Sequence, residues 1–354
     1  MTDGASELQH SPLDAQHRAF GAKMVPFGGW DMPLQYSGVL DEHRACRQHA
    51  VVFDVSHLGT VECRGPGAHD ALQWLLTNDL DRIGPGRAQY THLLDPVDAH
   101  VVDDIIVWWV EPERFFVMPN ASNTERVRAA IGGDDVTGER AIIAVQGPEA
   151  RRRLEPVAPE AAAVGRFRVA PFTWNGTACT VAGTGYTGED GVEISVPAEA
   201  AVDLWRAILA AGVAPAGLGA RDTLRLEVAL PLHGHELGPG ITPLQAGLGW
   251  VVSWTKPTFR GKDALAAERE RGVHRLLRGI STGGRRPPRA ECGVRIAGDA
   301  VGETTSGNFS PVLGHGIALA FLPPTVEEGT AVEIDLRGSV LGGTVVATPF
   351  VRRA

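Results

Sequence analysis

The sequence predicts an α+β protein of more than one domain that ends in an all-β, barrel-like domain. Three observations carry this. A chain of 354 residues exceeds what one hydrophobic core comfortably serves, so two or three domains are expected. Period-two apolar runs and helical spacing recur in the order β, α, β, β, which is the order of split β-α-β modules. Beyond about residue 261, short strands and turns replace that alternation.

The elements follow in order. Residues 40–49 have helical spacing, and Val51-Val52-Phe53-Asp54-Val55 is a β-branched strand. Residues 68–76 are a helix that stops at Thr77-Asn78-Asp79. After Gly84-Pro85-Gly86 comes a strand at 89–94. The turn Asp95-Pro96-Val97-Asp98 leads into a long β-rich run at 101–110, followed by Phe115-Phe116-Val117-Met118 and a helix at 124–131. A second cycle starts with Ile142-Ile143-Ala144-Val145. A Gly147-Pro148 turn, an Arg/Leu-rich helix, a strand at 167–169 and the strands around Tyr186 complete it. Residues 200–211 and 218–230 read as amphipathic helices. Gly283-Gly284-Arg285-Arg286-Pro287-Pro288-Arg289 is a basic loop, in keeping with a solvated segment. Strands follow at Val294-Arg295-Ile296, Val301-Gly302-Glu303, 331–336 and Val345-Val346.

Composition excludes several classes. Lys+Arg 33 against Asp+Glu 42, a net charge of -9, argues against a nucleic-acid binder. The polar start at 1–10 has no apolar signal core, and no run approaches the roughly 20 apolar residues of a membrane span. A cytoplasmic protein is expected. Cys46, Cys63, Cys179 and Cys292 are far apart and read as buried free thiols. His233-Gly234-His235-Glu236 has ligand-like spacing but no third or fourth ligand nearby, so no metal is expected.

Candidate site residues gather in a few places. Gly185-Tyr186-Thr187-Gly188-Glu189-Asp190-Gly191-Val192-Glu193 sets an aromatic hydroxyl and acids among glycines, so that a flat ligand could lie against the main chain. Glu193 opens a strand, which holds its carboxylate rigidly. The same residues also fit an ordinary turn between strands. Gly183 to Gly188 formally satisfy G-x-G-x-x-G, yet a strand rather than a helix follows, so no dinucleotide site is read there. Asp103 and Asp104 interrupt an apolar strand. Alternation would solvate one and send the other into an apolar face; a bulge or edge strand with both acids wet is the other reading. Ser56 and His57 point apart and form no dyad, which leaves His57 as a structural residue or a pocket wall. Asn120 stands at a strand end. Arg221 sits in the first turn of a helix, where its charge opposes the dipole; it faces a ligand or pairs with Asp222 at the surface.

At this point the chain resembles, nearly end to end, the T-protein family of the glycine cleavage system. The motifs that carry the likeness are Gly28-Gly29-Trp30-Asp31-Met32-Pro33, Phe53-Asp54-Val55-Ser56-His57, Leu76-Thr77-Asn78-Asp79 and Val102-Asp103-Asp104. Further on stand Gln146-Gly147-Pro148, the 185–191 turn, Ala216-Gly217-Leu218-Gly219-Ala220-Arg221-Asp222, Gly247-Leu248-Gly249-Trp250-Val251-Val252 and the 305–314 block. The resemblance implies a three-domain cloverleaf around a folate channel. Its first domain is discontinuous, at 1–55 with 140–250, its second spans 56–139 and carries the catalytic acid, and a β-barrel-like domain covers 251–354.

The resemblance also implies roles. Asp104 matches the catalytic aspartate. Tyr186, Glu193 and Arg221 match pterin-pocket residues, Tyr90 and Asn120 fall close to the folate, and Leu58 and Trp250 complete the folate-binding set. The implied reaction passes the one-carbon unit of an aminomethyl group, carried on the lipoyl arm of H protein, to tetrahydrofolate, giving 5,10-methylenetetrahydrofolate and ammonia, with the chain working as a monomer. Asp104 would act by charge and hydrogen bonding. Three positions depart from the family: Leu58 stands for Met, Gly183 for Arg, and Ala99-His100 for Gly-Gly. The alternative is a tetrahydrofolate-dependent demethylase of a small methylated amine, sulfonium or ether. A non-enzymatic folate-binding relative with a reactive cysteine is set aside, because Thr184-Gly185-Tyr186 contains none.

Overall fold

The computed structural model describes residues 7–352. Residues 1–6 of the polar N-terminal stretch lie outside the described residues. Four sheets organise the chain. A small one joins Gln9–His10, Trp30–Gln35 and Lys23–Phe27. A six-stranded sheet runs in the order Val169–Trp174, Thr177–Ala182, Gly191–Pro197, Arg140–Gln146, Val51–Asp54, Ala214–Pro215. A five-stranded sheet runs Arg87–Leu94, Val101–Glu111, Arg114–Met118, Val61–Arg64, Asp134–Asp135. The last is a closed barrel: Leu276–Thr282, Gly316–Leu322, Asp299–Phe309, Gly293–Ile296, Ala331–Leu336 and Ser339–Val346, the last strand returning to the first. The fold is therefore α+β with a terminal barrel, as the spacing predicts.

The pleat explains how the larger sheets share a core. On the Arg140–Gln146 strand, Ala141, Ile143 and Val145 face one cluster with Leu204, Trp205 and Ile208 of the helix Ala198–Ala210. Ile142 and Ala144 point the other way, into a cluster with Phe53, Trp108, Val110, Phe116 and Met118. The Val101–Glu111 strand alternates likewise: Trp108 and Val110 enter this shared core, while Ile105, Val107 and Trp109 enter the outer core of the five-stranded sheet. Each large side chain so buried contributes about 1.5–3 kcal/mol. This shared layer binds the two sheets and fixes the walls of the cavity described below.

Some elements differ from the periodicity. The helix expected within 218–230 spans Leu218–Glu227. Phe167 takes φ 54 in a turn, and its strand begins at Val169. The hairpin of Lys23–Phe27 with Trp30–Gln35 and the helix Lys262–Arg271 have no counterpart in the sequence reading. The helix lacks a strong apolar stripe, and the hairpin carries prolines at Pro26 and Pro33. Cys46, Cys63 and Cys179 are buried free thiols, whereas Cys292 is half-buried. Among the described residues, no helix is long and apolar enough to cross a membrane.

Candidate active site

One cavity of about 400 Å³ lies where the two larger sheets, the helix Leu218–Glu227 and the tip of the N-terminal hairpin meet. Asp104, Tyr90, Asn120, Tyr186, Glu193, Arg221 and Leu58 all line it. Of the eight residues to which the resemblance gives a catalytic or folate-binding role, Trp250 stands apart from this lining. It is 65% exposed on the short turn Gly249–Val251, with its ring 6.0 Å from that of Tyr90.

The acid wall begins with a bulge. Leu93 pairs with Asp103 but Leu94 with Val101, so Val102 is the extra residue. Its carbonyl accepts from His233 Nε2 at 3.0 Å. Each expectation holds in part: the bulge is present but the acids are not both wet, since Asp103 is fully buried with hydrogen-bond partners and Asp104 is half-buried at the cavity wall. The reason is Asn120, at the end of the neighbouring strand. Its Nδ2 donates to Asp103 Oδ1 and Asp104 Oδ1, both at 2.8 Å, and its backbone N–H donates to Asp103 Oδ2 at 2.9 Å. Asn123 Nδ2 adds a further hydrogen bond, 2.8 Å from Asp103 Oδ1. Burial, with the neighbouring Asp104 charge second, pushes Asp103 up to about 8. Burial also raises Asp104 above the usual carboxylate range. Two crowded carboxyls do not both ionise easily, so the pair keeps a proton near neutrality.

The facing wall is the 183–191 turn. Gly185 does present main chain to the cavity, and the glycines also make room for the protein's own close contacts. A Cβ at Gly185 would lie 2.0 Å from Gln146 Oε1, and at Gly188, with φ +78, 2.4 Å from Val228. Gln146 ties the turn together, accepting from Thr187 Oγ1 at 2.9 Å and donating to the Thr184 carbonyl at 3.1 Å. So anchored, Tyr186 donates its hydroxyl to the Pro231 carbonyl and turns its ring to the cavity. Glu193 is buried on the Gly191–Pro197 strand and accepts from Thr184 Oγ1 at 2.5 Å.

Arg221 forms no pair with Asp222. Its guanidinium carbon lies 4.9 Å from the Tyr186 ring centroid, and its Nη1 is buried without a hydrogen-bond partner. Asp222 pairs instead with Arg225 at 2.9 Å, and Arg225 also bonds Glu236 at 3.0 Å and Ser306 of the barrel at 2.7 Å. Nor does Arg221 orient Glu193 by direct contact; Thr184 does. An unpaired buried guanidinium N–H points to a ligand acceptor.

Several lining residues were not singled out as ligand contacts. Phe27 and Gly28 come from the hairpin tip, where Phe27 meets His57 edge-on at 5.4 Å. His57 is a cavity wall, one of its two expected roles. Burial, reinforced by Arg221, pushes it down to about 4, so it is a neutral imidazole. His233 and His235 diverge: His233 lines the cavity, and His235 Nδ1 faces the Thr305 carbonyl. Glu236 of the same segment is the buried partner of Arg225. The signal for these contacts is a fold that brings residue 27 beside 57 and residue 233 beside 102, which no local spacing encodes.

The departures acquire physical reasons. At Gly183 a Cβ would lie 2.0 Å from the Gly165 carbonyl oxygen, so this backbone admits no side chain there. Ala99 adopts φ 59, a left-handed conformation costing an L-residue about 1 kcal/mol, partly offset by complete burial of its methyl group. Leu58 supplies apolar wall.

A partly open, mostly apolar slot on which the Glu193 and Asp104 carboxyls and the Arg221 guanidinium converge has the makings of a group-transfer site. Comparison with known proteins gives the class. The chain is 45% identical over 363 residues to an aminomethyltransferase of Moorella thermoacetica, covering 98% of this chain and 99% of the relative. It is 44% identical over 360 residues to an aminomethyltransferase of Mycolicibacterium paratuberculosis, covering 98% of each. A crystal structure of glycine cleavage system aminomethyltransferase T from Bartonella henselae superposes with a TM-score of 0.92 at 33% identity, covering 98% of both chains. The chain is accordingly an enzyme of the transferase class, an aminomethyltransferase. Residues 13–256 match the GCVT N-terminal domain and 275–352 the glycine cleavage T-protein C-terminal barrel domain, and the chain belongs to the glycine cleavage T-protein family.

Proposed function

We propose that the cavity takes the pterin of tetrahydrofolate and that the enzyme passes it the one-carbon unit of an aminomethyl group carried on the lipoyl arm of H protein. Methylenetetrahydrofolate and ammonia are the products. The observation that carries this is the convergence of Glu193, the buried unpaired Nη1 of Arg221 and Asp104 on one largely apolar slot. The fit is chemical. A pterin presents a flat face to Tyr186 and Leu58, an amidine-like edge that donates to the Glu193 carboxylate, and an oxygen that accepts from Arg221. Tyr90 and Asn120 hold the acid that faces it, and Trp250 lies at the Tyr90 end of the slot.

The folate nitrogen supplies the nucleophile, and the lipoyl arm the activated carbon. The protein's own part is electrostatic. With the proton of the acid pair on Asp103, Asp104 carries negative charge into a buried slot, where it stabilises positive charge at the reacting amine or carbon and moves a proton. His57 stays neutral and adds no competing cation. We assign the units 1–55 with 140–250, 56–139 and 251–354, a monomeric state and a cytoplasmic location as parts of the same proposal; in support of the division, each sheet draws its strands from one of these ranges. No feature of the cavity favours demethylation of a free methylated compound.

The test is turnover of aminomethyl-loaded H protein with tetrahydrofolate, followed by formation of the methylene product. Asp104→Asn is expected to lower kcat by about 10²–10⁴-fold and leave folate affinity near that of the parent. Wild-type turnover in that variant would end the assignment.

A further inference from the structure

The acid at 104 has an unusual neighbour. His92 stands directly opposite it in register on the adjoining strand. Tyr90, two residues before His92, shares its face of the sheet. The Tyr90 hydroxyl donates to Asp104 Oδ2 at 3.0 Å and lies 3.2 Å from His92 Nε2. The His92 ring meets the Tyr90 ring edge-on, 5.3 Å between centroids at 84°. His92 is completely buried, and its Nδ1 has no partner.

This geometry selects a tautomer. A buried N–H without an acceptor is costlier than a buried lone pair without a donor, so the hydrogen resides on Nε2 and Nδ1 bears the lone pair. The Nε2–H then donates to the Tyr90 oxygen. With that oxygen's acceptor side occupied, the phenolic hydrogen is directed at Asp104.

We propose that His92 is a positioning residue: acting through the Tyr90 hydroxyl, it fixes a hydrogen bond on Asp104 and holds that acid in its charged form. This rests on Asp104 being the acting acid. The titratable groups facing Asp104 are Asp103 on its own strand, Tyr90 and His92 from the adjoining strand, His233 from the 228–240 segment and Tyr186 across the cavity. Burial, with His233 adding to it, pushes His92 down to about 3, so it serves as a constant donor and does not titrate in the working range. Chains of hydrogen bonds polarise one another, and loss of the first donor weakens the second bond.

The experiment compares His92→Leu, His92→Gln, Tyr90→Phe and the double variant of His92→Leu with Tyr90→Phe. Two quantities are read on each: the acid limb of kcat/KM against pH, and the titration of the Asp104 carboxyl by carbon NMR, its signal assigned by its loss in Asp104→Asn. His92→Leu should raise the Asp104 titration by roughly 0.5–1 pH unit. His92→Gln, whose amide N–H reaches the position of Nε2, should restore it, and His92→Leu should add nothing once Tyr90 is Phe. A titration unmoved by His92→Leu, equal shifts in the Leu and Gln variants, or an effect persisting in the Tyr90→Phe background would each overturn the proposal. Undiminished turnover in Asp104→Asn would end the reading of the acid itself, while the NMR titration would still report whether the relay exists.

Discussion

Glu193 shows how much a single hydrogen bond governs at a buried carboxylate. Its Oε2 is held by Thr184 Oγ1, and the bulk of its side chain is shielded from water. Thr184→Val keeps the volume and removes the donor, leaving the acid free to turn away from the edge it is proposed to bind. Folate affinity should fall about 5–10-fold, the equivalent of roughly 1 kcal/mol, with kcat near the parent value. A fluorescence titration checks this, and an unchanged Kd would show that Thr184 does not orient the acid. At this scale the sequence was informative about identity more than about contact. It singled out Tyr186, Glu193 and Arg221, but the partner of Asp222 is Arg225 and the partner of Glu193 is Thr184. Several side chains lie within reach along the chain, and only packing selects among them.

Among the elements, the 183–191 turn carries the sharpest constraint. Gly183 bridges Arg166, and its carbonyl accepts from Phe167 N–H at 2.9 Å. Gly183→Ala would drive a methyl carbon against the Gly165 carbonyl oxygen, a backbone atom that cannot swing aside. The expected cost is about 1–3 kcal/mol, measured as a lower midpoint in urea denaturation. A variant as stable as the parent would mean the two segments part without penalty. Strand and helix existence was legible here because apolar periodicity is strong: 124–131 is the helix Thr124–Ile131, and 101–110 is the strand Val101–Glu111. The acids at 103 and 104 allowed a bulge among the readings, but its place at Val102 arises from pairing with Leu93 and Leu94 across the sheet.

Over the whole molecule, buried titratable groups give stability a defined pH dependence. His57 at about 4 and His92 at about 3 both lie below the unfolded value of 6.5, so from roughly pH 4 to 6.5 the unfolded chain binds two protons that the native chain refuses. Asp103 at about 8 acts oppositely: from its ordinary 3.8 to about 8 the native chain keeps one proton that the unfolded chain releases. The balance is one extra proton on the unfolded chain below 6.5 and one extra on the native chain above it. Stability should therefore rise with pH to a maximum near 6.5, by about 1.4 kcal/mol per pH unit, and fall more gently toward 8, where Lys256, pushed by burial down to about 8, opposes Asp103. Denaturation midpoints across this range test it. A profile that stays flat or climbs from pH 6.5 to 8 would show that Asp103 is ionised in the native state.

Most of the order of strands and helices, the change to a strand-rich C-terminal region and the chemistry-bearing residue types were written into the linear chain; the helix Lys262–Arg271 was not. Each depends on local periodicity or on a side chain's own functional group. The cavity depended on the folded molecule. Gly28 beside Ala121, His57 beside Phe27, Asn120 between two acids and His233 against the Val102 carbonyl are contacts between segments far apart in the chain. The burial that shifts Asp103, His57 and His92 is equally a property of packed surroundings, because desolvation is set by every group that displaces water, whatever its place in the sequence.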